Sequence, residues 1–118
     1  MNSDKTITVA GTAHNWAPHP LVVGAQLAYL LIERRDHAPG SCALVRLSTD
    51  TRAEAHRHED SEDIFYVLRG KGWMWVDRSG EIELRGGVFV RIPSGVWHRP
   101  HDVEEELLLF NVWIPAMV

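Results

Sequence analysis

The sequence predicts an all-β fold, a sandwich or barrel of short antiparallel strands in one domain. Three observations carry that prediction. About six segments are rich in β-branched and aromatic residues, and glycine-containing turns separate them roughly every eight to twelve residues. No segment is convincingly helical, and 118 residues suffice for one domain with a real core. A double-sheet jelly roll fits this number of strands.

The first half of the chain begins with a segment that lacks a strand pattern. Gly11, Pro18 and Pro20 interrupt regular structure there. We therefore expect residues 1–20 to form a loosely ordered N-terminal arm and residues 21–118 to form the barrel domain. The first half then contains predicted strands at 26–34 and 41–48, a turn at 36–40 between them, and an irregular stretch at 48–55.

The second half contains shorter strands and a long final one. Gly70–Gly72 predicts a tight connection and residues 77–80 predict a hairpin turn. The last strand is apolar on both faces, so one face fills the barrel while the other needs a cover. Because the chain is short, we expect a second subunit to pack against this outer apolar face, which predicts a homodimer. The predicted strands are 63–68, 72–77, 81–84, 88–92 and 107–114.

Charge and cysteine content narrow the functional classes. The net charge of -4 gives no basic surface for nucleic acid or an anionic membrane. The start of the chain is polar, which predicts no signal peptide, and no apolar run is long enough to span a bilayer. Cys42 is the single cysteine, so no intrachain disulfide is possible. A reducing, cytoplasmic location is therefore expected.

The first candidate site lies just before the strand at 63–68. His56 and His58 are two residues apart, so an extended backbone directs both imidazoles to the same face. A carboxylate follows, at Glu62 or Asp63. Two imidazoles and a carboxylate are ligands that suit a divalent transition metal. Histidines beside acidic residues are also common in turns, so this stretch alone leaves both interpretations open.

A second cluster provides a more specific signal. Gly87 precedes a predicted strand, Pro93 and Gly95 form a turn after it, and His98 follows the turn. On average residue usage, these four types at fixed offsets would arise by chance in on the order of one chain in two thousand. The spacing therefore indicates a defined family pattern.

The two clusters together resemble the motifs of the cupin superfamily. Its first motif is Gly, five residues, His-x-His, three or four residues, Glu, six residues, Gly. His56, His58, Asp63 and Gly70 stand at these positions with the four-residue spacing. The second motif is Gly, five residues, Pro-x-Gly, two residues, His, three residues, Asn, and the second cluster matches it at every offset as far as the histidine. The resemblance covers about residues 50–102.

The sequence departs from the family pattern at three positions. The first glycine of motif one is Asp50, the usual glutamate is Asp63, and the final asparagine of motif two is Asp102. Glu62 replaces Asp63 if the strand carries a one-residue bulge, although strict alternation favours Asp63 facing inward. The resemblance implies a small jelly-roll barrel (a double-stranded β-helix), often dimeric, with one mononuclear metal. The ligands that it implies are His56, His58, Asp63 and His98.

The implied site suits iron(II), manganese(II), nickel(II) or zinc(II), one ion per chain. Three neutral imidazoles and one carboxylate leave such an ion with a charge of about +1 and, if octahedral, two open positions. We expect a metal-dependent enzyme of oxygenase or lyase/isomerase type, whose small-molecule substrate chelates the metal through adjacent oxygens. The alternative is a non-catalytic ligand-binding or sensor cupin domain.

Other polar and aromatic residues are weaker candidates. Tyr66 and His101 are possible proton donors or acceptors, but an outer-face tyrosine and a surface histidine are the simpler interpretations. Trp73 and Trp75 share one strand face, which either lines a pocket or forms an interface. The remaining histidines lie in turn-like segments and are expected to be solvated; they are His14, His19 and His37.

Overall fold

The computed structural model describes residues 6–9 and 14–115. In that part of the chain seven strands, all paired antiparallel, form one curved sheet, together with one helical turn. The all-β prediction is confirmed. In chain order the elements are β1 Ala17–Pro18, β2 Val23–Leu31, α1 Glu33–Asp36, β3 Ser41–Arg52, β4 Glu62–Val76, β5 Gly80–Arg85, β6 Phe89–Ile92 and β7 His98–Ile114.

The sheet has the jelly-roll arrangement, and its two longest strands pair with each other along almost their whole length. The strand order is β1-β2-β3-β7-β4-β5, and β6 pairs with the other side of β4. β4 has 15 residues and β7 has 17. The first half of β4 pairs with the second half of β7, and the second half of β4 pairs with the first half of β7. Both strands therefore contribute to the two sides of the barrel.

Alternation of buried and exposed side chains places the core inside this barrel. In β3, Ala43, Val45 and Leu47 are buried, while their neighbours in sequence are more exposed. In β4, Phe65 and Val67 follow the same period of two. Apolar side chains from most strands meet in one cluster, which surrounds the inner face where the candidate ligands lie.

The predicted connection at Gly70–Gly72 is wrong, because β4 runs without a break from Glu62 to Val76. Gly70 has a φ of 106°, and a Cβ atom at this position would collide with the backbone of Glu106 and Leu107. The register of β4 against β7 also shifts here. The glycine therefore supports a bulge and a close strand approach rather than a turn.

Two strands are longer than predicted. β3 continues through residues 48–52, which were expected to be irregular, and Arg52 pairs with Val23. This pairing follows a register shift at Gly24, whose φ is 85°. β7 begins at His98, nine positions before the predicted start at residue 107. The acidic residues in the middle of β7 are exposed, so this part of the strand shows no alternation of apolar and polar residues from which it could be predicted.

The first predicted strand ends early in a single helical turn, α1. The backbone N–H of Ile32 donates to Asp36 Oδ2 at 2.9 Å, and that of Glu33 donates to Ser41 Oγ at 2.9 Å. Because these side chains take up backbone donors, the chain turns here before β3 begins. Within residues 6–9 and 14–115, no helix is long and apolar enough to cross a membrane.

Candidate metal centre

Backbone hydrogen bonds join the segments that carry the candidate histidines. His56 and His98 form an antiparallel bridge in which each N–H donates to the other's carbonyl, at 2.9 and 2.8 Å. The N–H of Gly95 donates to the carbonyl of His58 at 2.8 Å. The turn before β7 is therefore tied to the His-x-His segment, and the two sequence clusters meet in space.

The three imidazoles converge on one point inside the barrel. Each ring offers a nitrogen, and these nitrogens lie within 4.8 Å of one another. The ring centroids of His56 and His98 are 4.3 Å apart, and that of His58 is 5.3 Å from each. Two donors that share one ion at 2.0–2.2 Å can be up to about 4.4 Å apart, so the cluster is close to a binding arrangement.

In His98 and His56, Nδ1 contacts a backbone carbonyl, which leaves Nε2 available as a metal ligand. His98 Nδ1 lies 2.9 Å from the carbonyl oxygen of Val96, and His56 Nδ1 lies 3.5 Å from that of Glu54. Since a carbonyl only accepts, the proton belongs on Nδ1 and the lone pair on Nε2. His98 Nε2 is buried and has no hydrogen-bond partner among the described residues. An unpaired buried lone pair of this kind is what a metal would satisfy.

The surroundings of His56 favour its neutral form. Burial, followed by the neighbouring His98 and His58, lowers the pKa of His56 to about 4. The side chains of His58 and His98 are only 8% and 2% exposed. A neutral ring at ordinary pH is the form that binds a metal, because a protonated one has no lone pair to offer.

Asp63 lies beside two of these histidines. Its Oδ2 is 3.3 Å from His58 Nε2 and 3.6 Å from His98 Nε2. Burial alone would raise the pKa of Asp63, but the adjacent His58 and His98 outweigh burial and lower it to about 2. Asn111 donates from Nδ2 to the other oxygen, Oδ1, at 2.5 Å. The carboxylate is thus ionised and held with one oxygen toward the histidines.

Glu62, the alternative carboxylate, points to the outside of the barrel. It forms a bidentate ion pair with Arg91, with distances of 2.7 and 2.8 Å. This pair lowers the pKa of Glu62. The ordinary alternation of β4 therefore places Asp63, and not Glu62, next to the histidines, as the sequence period favours.

The histidines and Asp63 line a small chamber within the barrel. Its volume is about 40 Å³, enough for an ion and a few small ligand atoms. Most of the wall is apolar, and Met74 and Pro100 contribute to it. The polar lining residues are His19, His56, His58, Asp63, His98 and Asn111, together with the indole of Trp113.

His19 was expected to be solvated, and that prediction is wrong. The residue lines the chamber, and its neighbourhood includes Asp63 and His58, whose charges act on it. Burial lowers the pKa of His19. Its backbone N–H donates to the carbonyl of Ala25 at 3.0 Å, which fixes the arm against β2. Only this long-range pairing brings a histidine from a proline-rich arm to the site.

Tyr66 and His101, the two weaker candidates for proton transfer, lie outside the chamber. Tyr66 is on the outer face of β4 and 45% exposed. His101 lines a separate outer cleft of about 610 Å³ and contacts Asp102 at 2.6 Å and Glu81 at 2.8 Å. Burial opposes protonation of His101, but these carboxylates outweigh burial and raise its pKa.

Trp73 and Trp75 also face outward. In this part of β4 the buried positions are Met74 and Val76, and the two tryptophans alternate with them. Of the two, Trp73 lines the outer cleft. The tryptophans therefore give no reason to expect an aromatic substrate in the chamber.

The chain is thus a jelly-roll barrel protein, and the three inward histidines form a candidate metal centre at its core. A family model described as "Cupin domain" matches residues 43–115. The chain therefore belongs to the cupin family. The cupin expectation from the two motifs is confirmed. No curated protein sequence matches the chain.

Solved structures with the same fold come from several organisms. The polyketide cyclase RemF from Streptomyces resistomycificus is 19% identical, with a TM-score of 0.76 over 93% of this chain and 80% of that one. KdgF from Halomonas sp. is 21% identical, with a TM-score of 0.70 over 86% and 88%. A predicted oxalate decarboxylase from Thermotoga maritima is 22% identical, with a TM-score of 0.68 over 77% and 80%. These similarities show the fold alone.

Proposed function

We propose that this chain is a metal-dependent enzyme that acts on a small molecule bound directly to a single divalent transition metal. The observation that carries the proposal is the convergence of three imidazoles, one of which has a buried and unpaired Nε2. His56, His58 and His98 would hold the ion. Iron, manganese, nickel and zinc all suit such ligands.

Asp63 is proposed as the fourth ligand, through Oδ2. This oxygen is next to two of the three ring nitrogens, and the other carboxylate oxygen is already held by Asn111. A dication bound by three neutral rings and one carboxylate keeps a charge of about +1 and, in octahedral coordination, two open positions. A substrate with two adjacent oxygens would occupy both.

The proposed chemistry is that of an oxygenase, such as a dioxygenase, or of a lyase or isomerase. When bound, the metal supplies Lewis acidity or an oxygen-activating centre. The protein supplies a chamber with a mostly apolar wall, which strengthens charge interactions at the site. It also holds His98, and through a longer contact His56, in the tautomer that leaves Nε2 free.

Metal analysis of variants tests this proposal. Protein expressed without added metal is expected to carry about one transition-metal ion per chain, and His56→Ala and His98→Ala are expected to lose it. His101→Ala is the matched control, because that histidine lies in the outer cleft. Stoichiometric metal in both His56→Ala and His98→Ala would refute the site. Oxygen consumption with small hydroxy-acids, enediols and catechols then separates an oxygenase from the other reaction types.

A non-catalytic ligand-binding domain is the second candidate. The observation that favours it is the composition of the chamber wall. Apart from the proposed ligands, His19 is the one ordinary acid–base side chain among the described lining residues. A small molecule retained unchanged through purification of the metal-loaded protein, with no turnover, would support this second function.

A homodimer is also proposed, through the outer face of the sheet. Leu44, Phe110, Tyr66 and Phe89 lie side by side in register across β3, β7, β4 and β6. Tyr66 is 45% exposed and Phe89 63% exposed. A continuous apolar row of this kind on a sheet face is typical of a surface that another protein covers. The single cysteine is the ground for proposing a cytoplasmic location.

A further inference from the structure

We propose that Trp113 and His19 are hydrogen-bond donors that select the substrate of the chamber, a small hydroxy- or oxo-carboxylate held on the metal. This inference rests on the proposed metal-dependent function and specifies its substrate class. Trp113 and His19 come from opposite ends of the chain, on β7 and on the segment between β1 and β2. Both line the same chamber as the three histidines.

Trp113 provides a donor without a partner. Its side chain is 2% exposed, and its Nε1–H is buried with no hydrogen-bond acceptor among the described residues. Trp113 is directly opposite Asp63 in the pairing of β4 with β7, and both residues are buried and line the chamber. A buried N–H without an acceptor is costly, and native interiors rarely leave one unpaired. A ligand oxygen in the chamber would satisfy it.

His19 provides the second donor, and its tautomer follows from one contact. The backbone N–H of Leu21 donates to His19 Nδ1 at 3.1 Å. Since Nδ1 accepts this bond, the proton of the neutral ring is on Nε2. The backbone of His19 is fixed to Ala25 at 3.0 Å, which holds the ring at the chamber wall.

The rest of the chamber defines the ligand's size and charge. A volume of about 40 Å³ is an order of magnitude below that of pockets for drug-sized molecules, which hold about 300–1,000 Å³. A ligand of a few carbon atoms suits this volume. A cation with two N–H donors nearby favours a ligand with negative charge and acceptor oxygens. The apolar remainder of the wall, including Phe65 and Leu109, gives a charged amine no partner.

Oxalate is a suitable probe because it chelates a metal through two oxygens and presents two more. Cobalt(II)-loaded protein is titrated with oxalate, and the visible absorption of the cobalt reports binding. Trp113→Phe keeps an aromatic ring but removes the N–H, and His19→Ala removes the ring. We expect all variants to bind one cobalt per chain and both to bind oxalate about tenfold more weakly than wild type. Trp97→Phe and His37→Asn, which change residues outside the chamber, are expected to match wild type.

The results distinguish failure of the proposed metal site from failure of the proposed substrate class or of the two donor roles. Wild-type protein that takes up no cobalt refutes the metal site and this inference with it. Cobalt-loaded wild type that does not bind oxalate refutes the substrate class alone. Equal affinity in wild type and both variants refutes the donor roles, while loss of cobalt from His19→Ala would make His19 a ligand rather than a donor.

A second measurement covers the case in which Trp113→Phe does not fold. In zinc-loaded, ¹⁵N-labelled wild type, oxalate is expected to shift one indole N–H resonance and to slow its exchange with water, as a new hydrogen bond does. Substitution of the other four tryptophans, one at a time, assigns that resonance by elimination. An indole spectrum that oxalate leaves unchanged contradicts the role of Trp113.

Discussion

Asn111 and Asp63 form a buried hydrogen bond across two strands, from Asn111 Nδ2 to Asp63 Oδ1 at 2.5 Å. Asp63 is on β4 and Asn111 on β7, and their side chains lie on the inner face of the barrel. Because Oδ1 is engaged, Oδ2 is the oxygen that approaches His58 and His98. Asn111 therefore acts on the proposed metal indirectly, by fixing the orientation of the carboxylate.

The first prediction concerns that orientation. Asn111→Ala removes the bond to Asp63 and is expected to weaken metal binding by about 10- to 100-fold, as loss of a residue that orients a ligand typically does. Competition with a chromophoric chelator measures the affinity. Asn15→Ala changes an exposed asparagine and serves as the control. Equal affinity in Asn111→Ala and wild type would contradict the role of Asn111.

The second prediction distinguishes the two adjacent carboxylates. Asp63→Asn keeps the size of the side chain but removes its charge, so metal affinity is expected to fall by at least tenfold. Glu62→Gln breaks the exposed ion pair with Arg91 and is expected to leave both stability and metal affinity nearly unchanged. Elemental analysis and urea unfolding measure the two effects. The reverse pattern would assign the carboxylate to Glu62.

The third prediction concerns the stability of the metal-free protein in acid. The folded-state pKa of His56, about 4, is below the ordinary value of 6.5, so the unfolded chain binds a proton more readily. The contribution of His56 to the free energy of unfolding is therefore expected to fall by about 1 kcal/mol between pH 6.5 and 5, after allowance for solvent at this partly exposed ring. Asp63 does not contribute in this range, because its pKa is lowered from a value already below 5.

Urea unfolding in the presence of a chelator measures this pH dependence. In His56→Gln the slope between pH 6.5 and 5 is expected to be smaller than in wild type. His37→Asn is the control, because His37 is exposed and asparagine tolerates its left-handed backbone, with φ of 54°. A slope that His56→Gln leaves intact would show that other groups carry the effect.

The fourth prediction concerns the outer apolar row. Phe89→Glu places a charge next to Tyr66 and is expected to convert a dimer into a monomer, which halves the mass in sedimentation equilibrium. Val23→Glu introduces the same charge at a residue that is 72% exposed on β2, and is expected to leave the mass unchanged. A monomeric wild type would rule out the dimer, and a dimeric Phe89→Glu would place the interface elsewhere.

Local sequence was sufficient to predict the centres of most strands, the hairpin turn and the shared face of His56 and His58, because these depend on alternation and turn chemistry. It was not sufficient to interpret Gly70. A glycine with positive φ suits a tight turn and a bulge equally well, and the deciding contact is with Glu106 and Leu107, far along the chain. The length of β7 was hidden in the same way, since its exposed acidic stretch does not differ from a loop.

Two residues of the chamber, Asn111 and His19, also depend on contacts that local sequence does not reveal. Asn111 lies in an apolar strand, and alternation predicts that it faces inward, but its partner Asp63 is 48 residues away. His19 follows Pro18 and precedes Pro20, which is typical of a solvated turn. Its place at the chamber depends on the pairing of Ala17 and Pro18 with β2, which no local pattern encodes.

The reciprocal backbone bridge between His56 and His98 has a consequence for how an ion is acquired. Main-chain bonds already join the two segments, so the entropy of bringing them together is lost when the barrel folds and not when an ion arrives. Under the proposed metal function, ion capture would be separate from folding, unlike in zinc fingers, which are unfolded without their metal. The barrel would then keep its shape when one ion species replaces another, so that the metal supply of the cell would determine which ion is present.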